Sequence, residues 1–172
     1  MKKRKILITG AAGYLGSMLT TALVNIGHNV TAVDLLKYDK NSLSHLFGKK
    51  NFKFIKDDVR DEQCLKKIVK NQEFIFPLAA LVGAPLCEKF KKNTKETNFE
   101  SIKKLVKIVN RNQKIIYPTS NSGYGIGKKN KYCDENSPLN PISLYGVTKA
   151  EAEKIILGKA SKVDIDLNKR NL

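Results

Sequence analysis

A short apolar run, Lys5 to Thr9 (KILIT), breaks into three glycines spaced three residues apart, Gly10, Gly13 and Gly16, and then into a stretch of helical periodicity. No other feature of the chain restricts its fold as much. The order predicts a strand, a tight turn and a helix. Gly10 suits a turn with unusual dihedrals, Gly13 lets the backbone approach a pyrophosphate, and Gly16 lets the helix pack close to the strand. The helix N-terminus then offers N–H groups and a positive dipole end to phosphates. A glycine triplet can also be no more than a flexible turn, so the next segment matters. It reads HNVTAVD and ends in Asp34, where a carboxylate meets the ribose hydroxyls of an adenosine. An acid there favours NAD, because it repels the 2′-phosphate of NADP, although nearby Lys37 leaves dual use open.

Periodicity along the rest of the chain predicts strands near 4–9, 29–34, 52–56, 73–77 and 114–118. Helices are expected near 13–26, 61–71, 94–112 and 142–158. Alternation of this kind implies an α/β fold, a doubly wound, Rossmann-like parallel sheet in one domain over 1–172. Right-handed crossovers give the order 3-2-1-4-5, with a ligand crevice at the carboxyl ends of the strands. Val163, Ile165 and Leu167 alternate with polar residues and allow a sixth strand. The longest irregular stretch, 119–141, runs between the fifth strand and the last helix.

That last helix carries Tyr145 and Lys149, one above the other on one face. A lysine ammonium beside a phenol favours the phenolate, which makes the tyrosine a usable acid/base. Ser120 could hydrogen-bond an oxygen being oxidised or reduced. The spacing is common by itself and gains meaning from the dinucleotide turn at the other end of the chain.

Taken together, TGAAGYLG (9–16), Asp34, DDVRD (57–61), LAAL (78–81), TSNSGYG (119–125) and PLNPISLYGVTKAEAE (138–153) resemble the extended short-chain dehydrogenase/reductase family, in its NAD-dependent epimerase/dehydratase group. The resemblance implies NAD held by Gly10, Gly13, Tyr14, Leu15, Gly16, Asp34, Asp58, Val59, Leu78, Ala79, Ala80, Tyr145 and Lys149, with Ser120, Tyr145 and Lys149 catalytic. It implies that Asp58 touches the adenine amino group while Val59 contributes backbone and packing. Asp57 stands where the family usually has glycine. Asp61 suits a helix N-cap. The small residues at 78–80 let the chain pass close to a dinucleotide, or simply end a packed strand. Asn98 is expected to make structural hydrogen bonds, and Tyr124 to pack. Asn121 and Ser122 replace the Asp-Glu pair of sugar-nucleotide 4,6-dehydratases and lack comparable acid/base capacity, which argues against dehydration and decarboxylation. Cys87 either lines the substrate pocket or fills core space as a small hydrophobe.

The function implied is reversible hydride transfer at a sugar carbinol of a nucleotide sugar, as in an epimerase. A carbonyl reductase of the same family and a non-catalytic NAD-binding module are the alternatives. The resemblance also implies a longer chain, because the family's substrate domain comes largely from its second half. We therefore expect a truncated or split product, or a cofactor-binding remnant, with weak NAD binding and little turnover of its own. Family dimers form through the helices near 94–112 and 142–158, so a homodimer is open here.

Charge and cysteines bound the remaining classes. Lys plus Arg number 32 against 16 Asp plus Glu, a net charge of +16. The lysines are scattered and no aromatic-interleaved motif accompanies them, so specific nucleic-acid binding is not expected. Cys64, Cys87 and Cys133 are widely spaced and histidines number 2, which predicts no metal site and fits a reducing cytoplasmic setting. MKKRK is not read as a signal peptide, because the apolar run after it breaks at Gly10. No apolar run has the length of a membrane span.

Overall fold

In the computed structural model, residues 2–127, 132–134 and 136–160 are described. Five parallel strands form one sheet in the order β3-β2-β1-β4-β5, the order expected from the sequence. The strands are β1 (Lys5–Thr9), β2 (Asn29–Asp34), β3 (Phe52–Lys56), β4 (Phe74–Pro77) and β5 (Lys114–Ile115). β1 sits between β2 and β4, with Leu7 opposite Thr31 on one side and Ile75 on the other. Its side chains alternate between two cores, as a strand buried on both faces requires. Ile6 and Ile8 pack with Val24, Val30, Ala32, Leu43 and Leu46. Leu7 packs with Leu65, Ile68, Ile75, Leu105 and Ala152. Each fully buried side chain of this size contributes about 1.5–3 kcal/mol.

The helices follow from the same pattern. α1 (Tyr14–Asn25) covers the first core through Val24, whereas α2 (Glu62–Val69), α5 (Ser101–Ile108) and α6 (Leu144–Ala160) cover the second. Asp61 caps α2, its carboxylate accepting from the N–H groups of Gln63 at 2.7 Å and Cys64 at 3.4 Å.

Three boundaries differ from the sequence expectation. A short helix, α3 (Ala84–Lys89), lies in a stretch read as irregular. The single helix expected over 94–112 is instead α4 (Lys91–Lys95), a π-helical turn (Glu96–Glu100) and α5, which stops at Ile108. Lys159 ends α5 from outside, donating to the carbonyls of Val106 at 2.6 Å and Val109 at 2.8 Å. β5 is also shorter than 114–118. The Ile116 N–H still reaches Ile75 O at 2.9 Å, but Pro118 has no N–H with which to continue the ladder. The possible sixth strand at Val163, Ile165 and Leu167 lies outside the described residues. No helix among the described residues is long and apolar enough to cross a membrane.

Candidate functional site

β1 and β4 are adjacent, yet the crossovers leave them in opposite directions along the sheet, and a cleft opens at their carboxyl ends. Its volume is about 890 Å³. Gly10, Gly13, Tyr14, Leu15 and Gly16 line one part of it, Asp34, Asp58 and Val59 a second, Leu78 to Val82 a third, and Tyr145 with Lys149 a fourth.

The glycine turn is held by backbone contact. Gly10 has φ +66°, and a Cβ there would lie 2.6 Å from Ala79 N and 2.8 Å from Leu78 C. A Cβ on Gly16 would strike the Gly10 carbonyl and come within 2.8 Å of Ala11 Cα, so α1 starts directly against the turn. No side chain caps the N-terminus of α1 and its first turn carries no acid, which leaves the positive helix end facing the cleft. The Asp34 carboxylate accepts from the Ala12 N–H at 3.0 Å and the Leu36 N–H at 2.8 Å. It thereby ties the turn to the end of β2 and keeps lone pairs in reserve.

Asp58 is engaged by a neighbour that the sequence reading did not single out. Arg60 donates from Nε at 2.9 Å and from Nη2 at 2.6 Å to Asp58 Oδ2, and its Nη1 reaches Glu96 Oε2 at 3.3 Å. These hydrogen bonds hold the Asp58 carboxyl below the usual carboxylate range, against the opposing effect of partial burial. Val59 is 7% exposed and belongs to the core beneath the cleft.

The wall at 78–82 is fixed by Asn98, which the π-helical turn carries toward it. Asn98 Oδ1 accepts from the Leu81 N–H and its Nδ2 donates to the Leu81 carbonyl, both at 2.8 Å. Cys87, fully buried and absent from the cleft wall, donates its S–H to the same carbonyl at 3.3 Å. Asn98→Leu should lower stability by about 1–3 kcal/mol, because it removes both partners of the half-buried Leu81 peptide groups. A urea midpoint equal to that of the parent would contradict this role.

At the opposite end α6 brings together a cluster of five residues. Lys149 is 6% exposed and its Nζ lies 3.8 Å from the ring centroid of Tyr117. Burial pushes its ammonium down to about 8, with the negative charge of Glu153 pulling the other way. Burial also pushes the Tyr117 phenol up, with smaller contributions from Tyr145 and Glu153. Thr119 lines the cleft and donates its hydroxyl to Glu153 Oε2 at 2.7 Å.

Ser120 is not part of the cleft wall, where Pro118 and Thr119 stand in its place. Its Oγ accepts from the Ser122 N–H at 3.3 Å, at the start of a short 3₁₀ turn over 121–123. That turn nevertheless packs on α6 beside Tyr145. A Cβ on Gly146 would strike the Ser122 carbonyl, so glycine at this helical position permits the approach. Arg60, Thr119, Gly146 and Glu153 are the residues that sequence reasoning passed over. Only Gly146 carried a local signal, as a glycine inside a helix.

Comparison with known proteins agrees with this geometry. The sequence model described as "NAD dependent epimerase/dehydratase family" matches residues 6–167. "Bifunctional protein GAL10" of Pachysolen tannophilus is 32% identical over 161 residues, covering 88% of this chain and 23% of the relative. The UDP-N-acetylglucosamine 4-epimerase of Methanobrevibacter ruminantium M1, solved with UDP-N-acetylmuramic acid, superposes with a TM-score of 0.84 at 28% identity, over 95% of this chain and 52% of its own. The UDP-glucuronic acid 4-epimerase of Bacillus cereus, solved with UDP-glucuronic acid and NAD, gives 0.82 at 26% identity, over 92% and 53%. The chain thus spans about half, or less, of the length of the proteins it matches.

Proposed function

We propose that this chain, which belongs to the NAD dependent epimerase/dehydratase family, holds NAD across the carboxyl end of its sheet and carries the hydride-transfer residues of a nucleotide-sugar epimerase. One observation carries the reading: a single cleft joins the glycine turn and Asp34 to Tyr145 and Lys149. The residues present fit the cofactor. The uncapped start of α1 and the turn that excludes any Cβ at Gly10 suit a pyrophosphate. The remaining lone pairs of Asp34 suit ribose hydroxyls, and Asp58 and Val59 line a part of the cleft that would take the adenine, with the Asp58 carboxylate held by Arg60.

When bound, NAD supplies the acceptor that takes a hydride from a sugar carbinol and returns it. The chain's own residues manage the proton. Tyr145 accepts it from the substrate hydroxyl, and the Lys149 ammonium favours the phenolate that does so. Ser120, the family's position for a hydroxyl donor to the reacting oxygen, stands behind the Pro118–Thr119 wall with its Oγ accepting from Ser122, so its hydroxyl proton would have to turn toward the cleft to take that role. The nucleotide sugar is the substrate class that fits the family.

The test is an NAD titration by calorimetry, followed by NMR of C4 configuration in UDP-glucose and UDP-galactose mixtures. Tyr145→Phe should bind NAD nearly as the parent does while turnover drops about a hundredfold to ten-thousandfold. Undiminished turnover in that variant removes the Tyr145 assignment. NAD binding with no turnover in the parent selects a cofactor-binding module, and absence of NAD binding overturns the reading.

A further inference from the structure

We propose that Glu153 is a positioning residue for Lys149: anchored by the Thr119 hydroxyl, its carboxylate supports the lysine ammonium over Tyr117 without taking that ammonium's hydrogen bonds. The significance of Lys149 in this inference rests on the function proposed above, but the coupling between the two side chains does not.

The geometry carries the argument. Glu153 follows Lys149 by one helical turn, on the same face of α6. Such a pair is within reach of a contact ion pair, although lysine preceding glutamate is the weaker of the two orders. Here none forms: among the described residues, the Lys149 ammonium makes no hydrogen bond or ion pair and lies over the Tyr117 ring, 3.8 Å from its centroid. The reason lies in the loop after β5. Thr119 donates to Glu153 Oε2 at 2.7 Å and holds the carboxylate toward the loop. A contact pair would draw the ammonium off the Tyr117 face and consume its donors. Held apart, Glu153 supplies negative charge without taking an N–H donor from Lys149, which lines the cleft.

Among the described residues, no carboxylate on the elements packed against α6 competes for this role. Tyr145 on α6 and Tyr117 beyond β5 are the titratable neighbours. On the packed elements, Glu88 is paired with Lys91, Glu96 with Arg60 and Lys92, and Glu100 with Lys103. Burial pushes Lys149 down to about 8 even with the charge of Glu153 opposing it, so the support has a measurable consequence.

The experiment is a pH titration of the Lys149 side-chain Cε and Nζ resonances by heteronuclear NMR, on the full chain without nucleotide. Glu153→Gln keeps size and can still accept from Thr119, but it removes the charge. Its Lys149 midpoint should fall by on the order of half a pH unit or more. Thr119→Val keeps the charge and releases the carboxylate to pair with Lys149, so its midpoint should rise. Opposite signs in the two variants are what a purely structural contact would not produce. A Glu153→Gln midpoint equal to that of the parent overturns the electrostatic support, and an unmoved midpoint in Thr119→Val overturns the anchoring. Because no NAD is present, failure here is separable from failure of the cofactor reading.

Discussion

Gly10→Ala is expected to cost about 4 kcal/mol or more of stability and to abolish NAD binding. Two penalties add at this position. The backbone at φ +66° lies in the left-handed region, and the new methyl would sit 2.6–2.8 Å from the Ala79 N, Ala79 Cα and Leu78 C atoms. All three are backbone at the end of β4, so nothing flexible can move aside. The sheet must open between β1 and β4, where the cleft is. Against a total of about 5–15 kcal/mol for a domain of ordinary stability, such a loss is severe. Gly27 supplies the control. Its φ is +95°, yet a Cβ there meets nothing within 4 Å, so Gly27→Ala should cost only about 1 kcal/mol. Urea unfolding of both variants, with NAD titration of each, measures the difference. Equal midpoints for the two would mean that the contact with 78–79 does not matter.

Lys149→Met should act in opposite directions on stability and on ligand binding. Below a pH of about 8 the ammonium is charged in both folded and unfolded chains, and its burial penalty is fully present. As pH rises from there toward an ordinary lysine value of about 10.4, the folded chain loses the proton first. The unfolded state then binds more protons, so stability rises with pH across that window. Methionine removes the penalty. Because Lys149 lines an open cleft, where solvent can screen its charge, the gain is discounted to about 1–2 kcal/mol, or roughly 3–6 °C in Tm at pH 7. The advantage should close as pH approaches 10. NAD affinity should meanwhile fall by about tenfold or more, as a charge-assisted hydrogen bond is lost. Melting curves of both proteins from pH 6 to 10 would decide it. A variant no more stable than the parent at pH 7 contradicts a strained, functionally retained lysine.

Much of the architecture was legible in the sequence because its signals are local. The KILIT run, the glycine turn and the HNVTAVD strand each occupy a few consecutive residues with a strong period or a strong turn residue. Alternation of such units, with the handedness of their connections, leaves few strand orders, and the glycine turn after the first strand favours the one observed. The helix expected over 94–112 was misjudged because its periodicity continues through a π-helical turn that propensity does not mark, and because its end is decided by Lys159, about 50 residues away. α3 was missed because a six-residue segment containing Pro85 has too few turns to show a period.

By itself, the sequence determined the alternating strands and helices and the glycine turn, which follow from short-range geometry repeated along the chain; that Asp34, Tyr145 and Lys149 share a crevice with Gly10 was legible through the family resemblance. Only the tertiary structure decided which side chains reach one another there. It placed Arg60 on Asp58 and Glu96, Asn98 on Leu81, and Thr119 on Glu153. Two of these are hydrogen bonds between residues 34 and 36 apart in sequence, Thr119 to Glu153 and Arg60 to Glu96. Neither strand nor helix periodicity relates such positions. Their meeting depends on how α6 and the 96–100 turn settle against the sheet, which is a property of packing in three dimensions and not of any local pattern.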